Sequence, residues 1–298
     1  MNALRGRGAF HPVLQVEYFV TQNIRIISKD FRSMKWPPHL PRPIASQDTY
    51  STPPGRQGRS VFWSTLRFYP RLVKLVLTAS RHAKRGTYSS ENWSDDSMIT
   101  LLDLEASGCS IVIEGMRNIA AAKGPVVFIG NHMSTCETFL LPGIIDPVKP
   151  VTFVIKPSLM EYPIFGPVMR SRNPIVVSRD NPRQDLVTVL EEGKARLDAG
   201  ISVVLFPQTT RVRAFDAAKF NTLGVKLARS AGVQVVPFAL KTDAWANGRF
   251  IKEFGPIDPK KIIHFHFGAP VAVTGNGKDA HESIVRFIGD TFTRWLED

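Results

Sequence analysis

An α/β fold with a mixed, mostly parallel sheet flanked by helices is predicted by the alternation of two patterns after residue 97. Short runs rich in β-branched residues are typical of strands, and several are apolar throughout, as in a sheet covered on both faces. Segments with helical spacing of apolar residues separate these runs, which favours parallel strands joined by helical crossovers. The predicted strands are 110–113, 126–129, 151–155, 174–178, 202–206, 234–240 and 262–267. The predicted helices are 97–106, 135–145, 183–199, 215–231 and 279–297.

The composition is that of a folded domain behind a basic leader. Of 298 residues, 43% are hydrophobic and 21% are charged, which excludes a mainly disordered or fibrous chain. Residues 1–90 carry 15 Lys and Arg against 3 Asp and Glu, whereas the rest carries 23 of each, so the net charge of +12 lies in the first third. This distribution favours docking on an anionic surface over a nucleic-acid enzyme, since no nucleic-acid recognition motif accompanies it. A solvated basic tail explains the charge equally well at this point.

Two regions are expected to precede a folded domain, large enough to be catalytic, over residues 91–298. Residues 1–60 form the basic leader, and 36–60 are rich in proline, glycine and serine, which predicts an extended, poorly ordered linker. Within 61–90, apolar residues recur every three or four positions with basic residues between them, which predicts a cationic amphipathic helix. Such a helix can lie in a membrane interface, or it can pack on the domain with its cations in water. Its one-signed charge favours the interface slightly.

No segment has the length and apolarity of a transmembrane helix or a secretory signal. The longest run without a charged residue is 262–277, and it contains His264, His266 and Pro270. Two cysteines, Cys109 and Cys136, cannot stabilise a chain of this size, so a hydrophobic core must do so. Neither a metal-binding His/Cys cluster nor a GxGxxG or Walker loop is present, so no metal and no nucleotide cofactor are expected. We expect a peripheral membrane protein on the cytoplasmic face.

The first candidate catalytic group follows the predicted strand 126–129. His132 comes at the carboxyl end of this strand, where α/β sheets bind ligands, and Glu137 follows in the first turn of the next helix. Glu137 could orient His132 while the imidazole takes a proton from a substrate hydroxyl. The alternative is structural, because Ser134 and Glu137 also fit a capping box. Taken alone, the capping box and a satisfied core histidine are favoured over catalysis.

The second candidate group follows the predicted strand 202–206. Thr209 and Thr210 offer hydroxyls there, and Arg211 offers a planar fork of donors suited to a phosphate. Arg179 closes the preceding predicted strand, 174–178. Two arginines and a histidine at strand ends indicate an anion pocket beside a general base, although surface cations at strand ends are also common.

Four ordered blocks spanning roughly residues 110–270 resemble the lysophospholipid or glycerolipid acyltransferase superfamily. Asn131, His132 and Glu137 are similar to the N-H-x4-D block, which holds the catalytic dyad in that family. Residues 162–166, continuing to Arg179, resemble the block that shapes the acceptor site and ends in a phosphate-contacting arginine. The resemblance implies a mixed sheet with flanking helices and commonly an amphipathic N-terminal anchor.

The third and fourth blocks are 206–211, which resembles F-P-E-G-T-R, and 235–240, which resembles V-P-V-A-L and contains Pro237. In the family, the third block contacts the acceptor phosphate, which here assigns Gln208, Thr210 and Arg211 to the acceptor, and the fourth block lines the acyl site. The sequence departs from the family at Glu137, where aspartate is usual, and at Gln208 and Thr209, where glutamate and glycine are usual. Gln208 cannot neutralise a cation, so this change bears on the acceptor more than on the reaction.

The resemblance implies acyl transfer from acyl-CoA or acyl-carrier protein to the free hydroxyl of a lysophospholipid, such as 1-acylglycerol-3-phosphate. No metal or bound cofactor is implied, because the thioester donor is already activated. The altered third block also admits a non-catalytic membrane lipid-binding protein on an acyltransferase scaffold. A lipid thioesterase, which would use the same dyad with water as acceptor, is the third alternative.

Overall fold

The computed structural model describes residues 40–41, 44–55, 60–208, 210–249 and 251–297. One eight-stranded sheet forms the centre of this part of the chain, in the order β1-β2-β8-β7-β3-β6-β4-β5. Its strands are β1 (Tyr50–Ser51), β2 (Ser110–Glu114), β3 (Val127–Gly130), β4 (Val151–Ile155), β5 (Ile175–Val176), β6 (Ser202–Leu205), β7 (Val235–Lys241) and β8 (Ile262–Phe267). The pairs β1–β2 and β7–β8 are antiparallel and the other five are parallel, so the predicted mixed, mostly parallel sheet is confirmed.

Nine α-helices pack around this sheet in the described part of the chain. They are α1 (Val61–Lys84), α2 (Ser90–Ala106), α3 (Arg117–Ala121), α4 (Cys136–Ile145), α5 (Ser158–Glu161), α6 (Gly166–Ser171), α7 (Pro182–Asp198), α8 (Leu223–Ala231) and α9 (Lys278–Glu297). The predicted helix 97–106 begins earlier, at Ser90, because Ser89 and Asn92 form a capping box there. The predicted helix 215–231 is instead a 3-10 turn, Ala217–Lys219, followed by α8. The short helices α3, α5 and α6 were not predicted.

The central strands are apolar because both faces of the sheet are covered. Every residue of β3 and β6 is buried, and so are six of the seven residues of β7. These three strands are neighbours, and their parallel pairing brings their carboxyl ends to one edge of the sheet. The candidate residues that follow β3 and β6 therefore meet at this edge.

The expected linker over 36–60 differs from the structure where the structure describes it. Leu40, Ile44 and Tyr50 are buried, and Tyr50 begins a strand that pairs with β2. The Tyr50 hydroxyl donates a hydrogen bond to the fully buried Glu105. Tertiary burial therefore overrides the proline-rich local pattern from residue 44 onward, while residues 56–59 lie outside the described part. The division of the chain at residues 60 and 90 stays a prediction.

Helix α1 has two different surfaces. One face is buried against the domain through Phe68, Leu72 and Leu75, each contributing about 1.5–3 kcal/mol of apolar burial. The Phe68 ring meets the buried Trp245 edge-on, with 4.7 Å between centroids. At the N-terminal end, Phe62 and Trp63 are 67% and 60% exposed. No described helix combines the length and apolarity needed to cross a membrane.

Candidate active site

The structure brings His132 and Glu137 into direct contact. His132 follows β3 by two residues, and Glu137 lies in the first turn of α4. The imidazole Nδ1 is 2.9 Å from Glu137 Oε1, and the imidazole is 12% exposed whereas the carboxylate is fully buried. If Nδ1 carries the proton that it donates to Glu137, Nε2 keeps a lone pair that can accept another. This is the geometry of a general base held in one tautomer.

Hydrogen bonds keep the buried Glu137 ionised. Burial by itself raises the pKa of a carboxyl group, yet the pKa of Glu137 lies below its ordinary value. The hydrogen bond and charge of His132 oppose burial, as do hydrogen bonds from the Thr242 hydroxyl and the Ser134 backbone. The Met133 and Ser134 amides donate to Oε1 at 2.6 and 2.8 Å, and Thr242 Oγ1 donates to Oε2 at 2.7 Å.

The capping box and the dyad, which the sequence presents as alternatives, coexist in part. Glu137 Oε1 accepts the Ser134 amide as in a capping box, while the same oxygen contacts His132. The second hydrogen bond of the box is displaced by one residue. Ser134 Oγ accepts the amide of Cys136 at 3.0 Å in place of the Glu137 amide, and the N-cap residue of α4 is Thr135. One carboxylate therefore caps the helix start and orients the imidazole.

Gln208 of the third block and Val212, the residue just after the block, hold the backbone of His132 from both sides. The His132 amide donates to the side-chain oxygen of the buried Gln208 at 3.0 Å, and the His132 carbonyl accepts the Val212 amide at 3.0 Å. The imidazole also stacks on Phe206, with 4.4 Å between ring centroids. Gln208 thus contributes an acceptor that needs no negative charge. Thr210 is exposed, and Thr209 lies outside the described residues.

Asn131, which follows β3, and Pro237 of β7 lie where β3 and β7 pair. The Asn131 side chain donates to the Leu240 carbonyl at 2.8 Å and accepts the Leu240 amide at 2.9 Å. Pro237 is buried in β7, opposite Ile129 of β3. These contacts fix the strand end that precedes His132. The predicted contacts of Asn131 and Pro237 with substrate stay predictions.

The two predicted phosphate ligands lie within electrostatic range of each other. Burial lowers the pKa of Arg179, and the positive charge of Arg211 lowers it further, although Asp185 opposes both. Arg179 has a left-handed φ of +67°, which costs a non-glycine residue about 1–3 kcal/mol. Asp185 stabilises this turn, because its carboxylate accepts the amides of Ser178 and Arg179 at 3.0 and 2.8 Å.

Glu253 is a further charged residue at this end of the site, and no motif indicated it. Its Oε1 lies 3.4 Å from Arg211 Nη1, with side-chain exposures of 25% and 15%. Burial raises the pKa of Tyr162, and the charges of Glu253 and Arg211 act on it in opposite directions, so this second-block residue lies within electrostatic range of the pair. Thr242 likewise carries no motif signal, since it lies two residues beyond the fourth block.

Two other chemistries have little support in this region. Cys136 is fully buried, and burial together with the charge of Glu137 raises the pKa of its thiol, so it is unsuited to act as a nucleophile. Within the described ranges, no group of three or more His, Cys, Asp or Glu side chains could hold a metal ion.

Residues 110–241 match the family described as Acyltransferase. This range contains the histidine–carboxylate pair at the strand ends and both arginines. This match and the relatives below support the resemblance to the glycerolipid acyltransferase superfamily that the four sequence blocks indicate. It is 29% identical over 177 residues to the 1-acyl-sn-glycerol-3-phosphate acyltransferase of Pseudomonas aeruginosa, covering 59% of this chain and 64% of that protein. It is 28% identical over 180 residues to the probable 1-acyl-sn-glycerol-3-phosphate acyltransferase of Mycoplasma pneumoniae, covering 57% of this chain and 66% of that one. The chain therefore spans slightly less than two thirds of the length of these two relatives.

A solved structure shares the fold. The crystal structure of the 1-acyl-sn-glycerophosphate (LPA) acyltransferase, PlsC, from Thermotoga maritima matches with a TM-score of 0.61 at 17% identity. The match covers 80% of this chain and 96% of that chain, so it includes elements outside the four sequence blocks.

Proposed function

We propose that this protein is an O-acyltransferase of phospholipid biosynthesis or remodelling. It moves a fatty acyl group from acyl-CoA or acyl-carrier protein to the free hydroxyl of a lysophospholipid, such as 1-acylglycerol-3-phosphate. The observation that carries the proposal is the 2.9 Å contact between His132 and the buried Glu137, at a sheet edge that also bears Arg179 and Arg211. The names of the relatives support the same substrate class.

The proposed reaction needs a base that becomes an acid. Nε2 of His132 takes the proton of the acceptor hydroxyl as its oxygen attacks the thioester carbonyl carbon. When the tetrahedral intermediate collapses, the C–S bond breaks and the imidazolium returns the proton to the leaving thiolate. Glu137 stays ionised throughout and stabilises the imidazolium. Arg179 and Arg211 hold the acceptor phosphate by charge-assisted hydrogen bonds.

The test is an assay that follows both products at once. Purified protein is incubated with a long-chain acyl-CoA or acyl-carrier protein and lysophosphatidic acid, and free thiol and phosphatidic acid are measured. An empty-vector preparation carried through the same purification controls for host enzymes. We expect thiol release that is matched by lipid product and depends on the acceptor.

The other outcomes identify the alternatives. Thiol release without lipid product, unchanged when lysolipids are added, would favour a thioesterase. Absence of release with any donor and lysolipid, combined with lipid binding, would favour a non-catalytic lipid-binding protein. Either result would overturn the transferase proposal.

We also propose that the protein binds peripherally to the cytoplasmic face of an anionic membrane, through the N-terminal end of α1. Phe62, Trp63 and Leu66 expose apolar surface there, and the helix contains no acidic residue. Phe254 is also exposed, and its ring packs against that of Tyr69, which lies on α1. Phe254 directly follows Glu253 in the chain. An apolar surface would thus adjoin the arginine end of the site, from which a lysolipid could enter.

Point substitutions test this better than truncation, because the other face of α1 belongs to the core. Phe62→Ser with Trp63→Ser should lower partitioning onto vesicles that contain phosphatidylglycerol at least tenfold, since each exposed aromatic contributes about 1.5–3 kcal/mol when buried. Leu296→Ser is the matched control, because Leu296 is 64% exposed on the terminal helix. Equal cosedimentation of the double variant and the control would contradict the membrane proposal.

A further inference from the structure

Thr242 connects the end of β7 to the catalytic pair. Its side chain is fully buried, and Oγ1 lies 2.7 Å from Glu137 Oε2 and 2.9 Å from Ser134 Oγ. Its backbone amide donates to the sulfur of Met133 at 3.2 Å. A residue that directly follows β7 thus contacts Met133 and Ser134, which join His132 to α4, and Glu137 in the first turn of α4.

The hydrogen-bond donors to Glu137 divide between its two oxygens. Oε1 faces the His132 ring and the amides of Met133 and Ser134, whereas Oε2 faces the hydroxyls of Ser134 and Thr242. The Ser134 hydroxyl has one hydrogen but three acceptors in range: Glu137 Oε2, Thr242 Oγ1 and the Thr242 carbonyl. The Thr242 hydroxyl is the closest donor to Oε2, so Thr242 is the more dependable donor of the two.

Fixing Oε2 also fixes Oε1, because a carboxylate is planar. If Oε2 lost the Thr242 hydroxyl, only the shared hydrogen of Ser134 would hold it, and the group could rotate about its last bond and take Oε1 away from the imidazole.

We propose that Thr242 is a positioning residue that holds the Glu137 carboxylate in register with His132. This inference rests on the proposed transferase function. Thr242 touches neither the donor nor the acceptor in this role, so its loss should lower kcat while the KM values for both substrates change little.

The decisive variants are Thr242→Val, which keeps the shape and removes the donor, and Thr242→Ser, which keeps the donor. Thr242→Val should lower kcat about tenfold, as expected when a hydrogen bond to a charged group is lost, and Thr242→Ser should restore most of it. Thr100→Val is the matched control, because Thr100 is a buried threonine whose hydroxyl bonds to the Asp96 carbonyl within α2. The control should keep wild-type kcat.

The pH profile separates positioning from a loss of packing. The Thr242 hydrogen bond lowers the pKa of Glu137, so removing it makes the pair bind its proton more tightly. The acidic limb of the kcat profile should therefore move to higher pH in Thr242→Val and stay in place in Thr100→Val. A wild-type profile with wild-type kcat in Thr242→Val would overturn the proposal, and so would a serine variant as impaired as the valine variant.

A second readout does not depend on turnover. The titration midpoint of the Glu137 carboxyl, followed by carbon NMR of the labelled side chain in unliganded protein, should move to higher pH in Thr242→Val, because the Thr242 hydrogen bond lowers the pKa of Glu137. If the wild-type protein transfers no acyl group, the proposed function fails, yet this titration still decides whether Thr242 acts on the pair. An unchanged midpoint would refute the positioning role by itself.

Discussion

The two ends of the site are built differently. At the dyad end, Glu137 is buried and accepts hydrogen bonds from backbone amides, hydroxyls and an imidazole at 2.6 to 3.0 Å. At the arginine end, Arg211 and Glu253 are partly exposed and 3.4 Å apart. The first arrangement is set before any substrate arrives, whereas the second is a weak pair that an anionic ligand can replace. The dyad is therefore preorganised, and under the proposed function we expect acceptor binding to depend on competition between charges.

The largest effect should come from the dyad end. His132→Ala removes the general base, so kcat/KM for acyl transfer should fall by about 10²–10⁴. Circular dichroism and vesicle binding should match the wild type, because the imidazole is not among the fully buried side chains. Retained turnover with natural donor and acceptor would remove the dyad from the mechanism.

A smaller effect, on binding more than on turnover, should follow changes at the arginine end. Arg211→Ala should raise the KM for lysophosphatidic acid by about tenfold or more, because a charge-assisted contact with the phosphate is lost. Arg229→Ala is the control, since Arg229 is exposed on α8. A monoacylglycerol, which lacks the phosphate, provides the comparison substrate, and an equal loss of activity toward it would argue against phosphate recognition by Arg211.

The smallest effect should come from removing the competing charge. Glu253→Gln should lower the KM for lysophosphatidic acid by up to about fivefold, because partly exposed ion pairs contribute about 0.2–1 kcal/mol. Glu192→Gln is the matched control, because Glu192 pairs with Arg196 at 3.5 Å on the surface of α7. A higher KM in Glu253→Gln would mean that Glu253 orients Arg211 instead of competing with the acceptor.

Local sequence patterns predicted the parts of the fold whose burial is complete. Strands β3, β6 and β7 are apolar along their length because the sheet is covered on both faces, so their runs stood out. Strand β1 has two residues within a proline-rich stretch, and it forms because β2 offers it an edge. The helix predicted over 215–231 is interrupted at Phe220, which is buried between the 3-10 turn and α8.

The sequence by itself determined the α/β class, the histidine and carboxylate at the end of β3, and the arginines after β5 and β6. These depend on periodicity and on short motifs, which are local properties of the chain. Only the tertiary structure decided that Thr242 donates to Glu137, that Gln208 accepts the amide of His132, and that Glu253 faces Arg211. These partners are 105, 76 and 42 residues apart in sequence. They meet because parallel strands bring their carboxyl ends to one edge of the sheet, which no local pattern records.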